Sequence, residues 1–135
     1  MTSKINLAVE SVIDLINGMG NFATMTRGAL GASAGLSCEI APSMPSETYM
    51  DKNDYTPITL ALNGKHPNLK TVTDAMNDIA DTLSRMTEYP SGNGWEIVDI
   101  SKGSISRVIG RDEKNLWLIA CDLIVKLYRK DDEQA

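Results

Sequence analysis

Few side chains in this chain are of a type and spacing that does chemistry. The single histidine, His66, stands beside Pro67 just before a helical pattern. A general base needs a nucleophile or an orienting acid within hydrogen-bond reach, and the local sequence supplies neither. His66 is therefore expected to be an exposed turn residue. Cys38 and Cys121 each sit inside a strand-like apolar pattern, so they read as two buried, reduced thiols. They would pair only if their strands were neighbours of suitable geometry. One histidine and two distant cysteines make no zinc set, which takes three or four ligands in recognisable spacings.

Asp74, Asp78 and Asp81 share one side of a helix, yet regular helices seldom supply the converging oxygens that calcium demands. They are expected to form a solvated face. Lys52-Asn53-Asp54 has oxygen donors without the spacing of a calcium loop. The five glycines between 18 and 35 could cradle a phosphate, but no GxGxxG follows a strand and no Gly-Lys-Ser/Thr ending occurs. No catalytic residue, metal site or cofactor is expected, and the chain is not read as an enzyme.

The elements that would position these residues are clearer. Thr2 or Ser3 can cap a first helix whose apolar stripe is Ile5, Val9, Val12, Ile13 and Ile16, closed by a left-handed Gly18. The stretch 18–35 reads as a loop. Leu36, Cys38 and Ile40 alternate in a short strand ended by Pro42. Residues 43–57 form a second long loop carrying Tyr49, Met50 and Tyr55. Thr56 to Leu62 is the next strand, with Asn63-Gly64 as its turn signal. Leu69, Val72, Met76, Ile79, Leu83 and Met86 step by three and four, the seam of a second helix. Trp95 to Ile109 is extended, with a bulge or bend near Lys102-Gly103.

The final strand is the most apolar part of the chain. Its odd positions, Trp117, Ile119, Cys121, Leu123, Val125 and Leu127, make an unbroken apolar face. The even positions include Leu116, Leu118, Ile124 and Tyr128, so the second face is half apolar as well. A strand covered on both sides belongs to a layered sheet or an assembly. The expected fold is α+β: an antiparallel four-stranded sheet with two helices packed on one face, in the order α-β-β-α-β-β. At 135 residues it forms one domain, spanning 1–135.

Thirteen basic and 18 acidic residues give a net charge of −5, three of the acids being Asp131, Asp132 and Glu133. That balance lacks the basic stripe of a duplex-binding protein, so no sequence-specific nucleic acid is expected as a partner. No apolar run approaches the ~20 residues of a membrane span, and no signal peptide precedes the first helix. Folding in a cytoplasm, with no membrane partner, is the expectation.

One motif points further. Val108-Ile109-Gly110-Arg111-Asp112-Glu113, followed by a long strand ending in Lys126-Leu127-Tyr128-Arg129-Lys130, resembles the C-terminus of phage minor capsid proteins of the tail-terminator type. The segment Thr56-Pro57-Ile58-Thr59-Leu60 with Gly64, running into a helix, is similar to their middle. The likeness in element order covers nearly the whole chain. It implies a structural virion protein at the head–tail interface, assembled in the cytoplasm of a bacterial host. Such proteins form a homo-oligomeric ring, commonly a hexamer, on the last disc of tail-tube protein. The ring stops tube growth and presents a surface to the head connector or stopper protein. Residues expected at subunit or partner contacts are Leu116, Leu118, Ile124 and Tyr128, the turn residues Arg111, Asp112 and Glu113, and the loop residues Tyr49, Met50 and Tyr55. The alternatives are another neck or head-closure ring protein or, in a different class, a small ligand-binding or regulatory α+β domain.

Overall fold

The computed structural model describes residues 3–28, 30, 33–41, 47–48 and 54–129, with only the backbone described at 47, 48 and 54. Tyr49, Met50 and the acidic tail lie outside the described residues.

Helix α1 spans Lys4–Asn17; the Ser3 hydroxyl accepts the Asn6 N–H at 3.1 Å, satisfying one of the unpaired donors of its first turn. Ala8, Val9, Val12 and Ile16 are buried along one face. Gly18 ends the helix in right-handed geometry at φ −72°, and the left-handed residue is Gly20 at φ 76°. Helix α2 spans Leu69–Ser84 and is capped by Asn68, whose side chain accepts the Thr71 N–H at 3.2 Å. Val72, Ala75, Met76, Ile79, Ala80 and Leu83 are its buried face.

The strands are β1 (Met25–Arg27), β2 (Gly35–Ala41), β3 (Glu47–Thr48), β4 (Asp54–His66), β5 (Ser91–Gly92), β6 (Trp95–Arg111) and β7 (Trp117–Arg129). They make one sheet in the order β1-β2-β4-β7-β6-β5, with β3 pairing β4 off that path. Strand β1 runs parallel to β2, and every other pair is antiparallel. The sheet curls into a half-barrel. The expected antiparallel four-stranded sheet of order α-β-β-α-β-β is therefore incorrect: the sheet is mixed and has more strands.

Local physics explains the differences at β1 and β4. Strand β1 falls in the glycine-rich stretch read as a loop, and it is too short to show a period. The Asn17 side chain holds it, accepting the Met25 N–H at 2.7 Å and donating to the Met25 carbonyl at 3.3 Å. Asn63-Gly64 is not a turn but lies inside β4, which pairs with β7 without interruption from Asp54↔Arg129 to His66↔Trp117. Strand β6 shifts register against β7 at four places, one of them between Lys102 and Ser104. Such bulges bend a strand and raise its twist, which suits a curled sheet.

Ladder partners share a face, so the inner rows follow from the register: Ile58 with Val125, Leu60 with Leu123, Leu62 with Cys121. These residues join both helices in a single core cluster. Cys38 pairs with Leu62, which pairs with Cys121, so the thiols are free and buried in one row two strands apart. That separation, roughly 10 Å, is beyond disulfide reach. Burial pushes both thiols up to about 11.

Candidate functional site

The opposite face of the sheet is built from the odd residues of β4 and the even residues of β7. Lys65 pairs with Leu118, Asn63 with Ala120, Ala61 with Asp122, Thr59 with Ile124, Pro57 with Lys126 and Tyr55 with Tyr128. Both helices pack on the inner side, and no described helix lies on this outer one. Leu118, Ile124, Tyr55 and Tyr128 are each half-buried here. The rings of Tyr55 and Tyr128 are 4.7 Å apart between centroids, and the Lys126 ammonium lies 5.1 Å from the Tyr55 ring centre. At the face's centre, Ser104 donates to the Asp122 carboxylate at 3.2 Å while accepting from Asp122 N–H and from Arg107, each at 3.1 Å. This group ties β6 to β7 across a bulge. It holds no imidazole and no activated nucleophile.

The charged turn at 111–116 is a structural device. Asp112 accepts the N–H groups of Lys114 and Leu116, both at 2.9 Å, and takes the Lys65 ammonium at 3.2 Å. The Leu116 N–H first, then Lys65 and Lys114, hold its carboxyl below the usual value. A depressed carboxylate contributes stability that is complete above its unfolded value of 3.8 and fades as pH falls through the folded one. Asp112→Asn keeps an acceptor and loses that charge. The native chain is expected to lose more stability than Asp112→Asn between about pH 5 and about pH 2, measured by urea unfolding at each pH.

Of the residues expected at contacts, the structure gathers Leu118, Ile124, Tyr128 and Tyr55 on one face. Arg111, Asp112 and Glu113 adjoin Leu118 and lie about 33 Å along the strand from the tyrosines at ~3.3 Å per residue. Leu116 is 8% exposed and packs within the turn, its N–H and carbonyl both bonded to Asp112. The Arg111 guanidinium stacks on Trp117 at 4.7 Å. Glu113 is exposed.

His66 closes β4, with its ring edge-on to Phe22 at 4.8 Å and its Nδ1 accepting the Asn68 N–H at 2.9 Å. It is half-buried rather than exposed, and that nitrogen is occupied by the cap of α2. Two of the three α2 acids are likewise engaged: Asp74 with Lys70 at 2.6 Å, and Asp81 with Lys102 of β6. Among the described residues, no three His, Cys, Asp or Glu side chains are grouped to hold a metal. A hollow of about 220 Å³ lined by Ser91, Gly92, Gly94, Trp95, Glu96 and Tyr128 is smaller than the ~300–1,000 Å³ of ordinary ligand sites.

No family model matches the chain, and no curated protein is similar to it.

Sequence reasoning read β6 as extended but missed its exposed apolar side chains. Val98, Ile105, Val108 and Ile109 are exposed by 39, 80, 52 and 58%. Bulges break the alternation there, so a two-residue period cannot assign their faces. The run Ile105-Ser106-Arg107-Val108-Ile109, with apolar residues at no single parity, was the available signal.

Proposed function

We propose that this chain is a structural virion protein of a tailed phage, forming a ring at the head-proximal end of the tail tube. The observation that carries the reading is the outer sheet face, along which Leu118, Ile124, Tyr55 and Tyr128 are spread with no described helix over them. The resemblance of the Gly110-Arg111-Asp112 turn and final strand to tail terminators supplies the identity of the assembly. In this reading the mechanism is surface capture without covalent chemistry. One ring face binds the last disc of tube protein and does not propagate it, while the other receives the head connector. Contacts between unlike surfaces that close by rotation give such a ring, commonly a hexamer. Another neck or head-closure ring protein would use the same surfaces. The small, open hollow beside Trp95 gives a ligand-binding domain little to work with.

The test is assembly. Size-exclusion with light scattering should find oligomers, alone or on addition of tail-tube protein, and tubes polymerised with the chain present should be shorter. Ile124→Asp and Tyr128→Asp are each expected to weaken association by about tenfold or more, as central apolar contacts do, with the far-UV spectrum unchanged. A chain that stays monomeric with tube protein present and leaves tube length unaltered is not a terminator.

A further inference from the structure

Strand β6 is an edge for most of its length. Strand β5 pairs only with Trp95 and Glu96, so from Val98 to Arg111 no described strand lies on its far side. Such an edge presents a row of unpaired N–H and C=O groups, and proteins blunt it with charges, proline or bulges. The register shifts of β6 enclose Val98, Gly103, Ile105 with Ser106, and Ile109. Three of these four bulges thus carry an exposed β-branched apolar side chain instead of a charge. The bulges interrupt the edge, while the apolar side chains they carry give it the composition of a contact surface.

The sequence of β6 is complementary to itself when a second copy is laid antiparallel about Gly103. Asp99 then meets Arg107, Val98 meets Val108, and Ser101 meets Ile105. The faces agree at the flanking pairs Asp99–Arg107 and Ile100–Ser106, while next to the axis the Gly103 bulge sets Lys102 on the inner face and Ser104 on the outer one. Asp99 stands opposite Lys126 and Arg107 opposite Ala120, both on the outer face, so they meet on one side of a continued sheet. Ile100 stands opposite Val125 on the inner face, and Ser106 reaches Asn77 of α2 at 2.5 Å on that same side. Asp99 makes no ion pair with any described residue and is exposed, as is Arg107. Centring the pairing on Ile105 instead would set Asp99 against Arg111, whose ladder partner Trp117 belongs to the inner face. Those two charges would then lie on opposite sides.

We propose that the β6 edges of two copies of this chain pair antiparallel about a two-fold axis at Gly103, fusing two sheets into one, with Asp99 of each copy against the partner's Arg107. A contact of this kind is isologous: it makes a closed pair and cannot by itself build a ring. It is therefore separate from the outer-face contact above and stands or falls without it.

Sedimentation equilibrium over a concentration series tests it, in the native chain and in Ile124→Asp so that the outer face does not contribute. Both should dimerise, more weakly as salt rises. Asp99→Arg and Arg107→Asp each place like charges together twice per dimer and should weaken it by about tenfold or more. The combined Asp99→Arg/Arg107→Asp chain restores both pairs and should recover most of the native affinity. Hydrogen exchange on the native chain should show amides of residues 98–108 slowing as concentration rises. A monomer at every concentration, a combined variant as weak as the single ones, or exchange at 98–108 indifferent to concentration each overturns the proposal. Capture of an unrelated extended peptide at this edge by a chain that remains monomeric does so too.

Discussion

Leu123→Asp is expected to abolish cooperative folding, while Ile124→Asp, one residue along, leaves the monomer folded. Leu123 is fully buried in the central strand β7, on the inner face beside Leu60 of β4. Truncating a buried leucine costs about 2–5 kcal/mol through lost burial and the cavity left behind. An unpaired carboxylate in its place adds several kcal/mol more, whether it stays charged or takes up a proton. The sum reaches the ~5–15 kcal/mol that holds a typical domain together. Ile124 points the other way, half-exposed on the outer face, so its replacement should cost no more than about 1–2 kcal/mol. Near-UV circular dichroism from Trp95 and Trp117, with thermal unfolding, separates the two outcomes. Leu123→Ala, which removes the side chain without adding charge, should still fold with a lowered midpoint. The reverse pattern, with Ile124→Asp unfolded and Leu123→Asp native, would mean that β7 is one residue out of register, since a single-residue slip exchanges its faces.

That contrast also marks what was legible in the sequence. The two faces of β7 follow from parity alone, because that strand pairs with β4 without a bulge. Both helices were legible for the same reason, one uninterrupted period, whereas a polar cap was read only for the first. Parity failed where the chain leaves its ladder. Leu116 was counted with Leu118, but the strand begins at Trp117, and the backbone before it belongs to the Asp112 turn. Parity failed again along β6, where four register shifts scramble the alternation and leave Ile105 and Ile109 outside. Strand β1 depends on a side-chain clamp from Asn17 and on parallel pairing with β2, neither of which shows in the alternation of its own three residues. The meeting of Tyr55 with Tyr128 is of this kind too, fixed by a register that only the folded sheet defines. What sequence shows well is therefore which side of a regular element is wet. Which elements neighbour each other, and where a strand breaks step, is decided by long-range pairing.

Gly64 is the sharpest case, because its dipeptide with Asn63 is a turn signal and the fold uses it for close approach. It sits on the inner face of β4, opposite Ile119, where α2 crosses the sheet. A Cβ at this position would lie 2.7 Å from Val72 Cγ2, 3.2 Å from Leu36 Cδ2 and 3.3 Å from Met76 Sδ. Val72 is fully buried and β-branched, with one favoured rotamer in a helix, so it cannot swing aside and α2 itself must move. Gly64→Ala is therefore expected to destabilise by about 1–3 kcal/mol, the usual penalty of overpacking. That corresponds to roughly a 4–11 °C fall in Tm for a domain of this size. It outweighs the ~0.4–1 kcal/mol that a stiffer unfolded chain would contribute in the opposite direction. Val72→Ala removes the obstructing methyl, so the double variant should be more stable than the two single losses predict, by about 1 kcal/mol or more. Simple additivity, or a Gly64→Ala chain as stable as the native one, would place α2 farther from the sheet than the 2.7 Å approach at Gly64 requires.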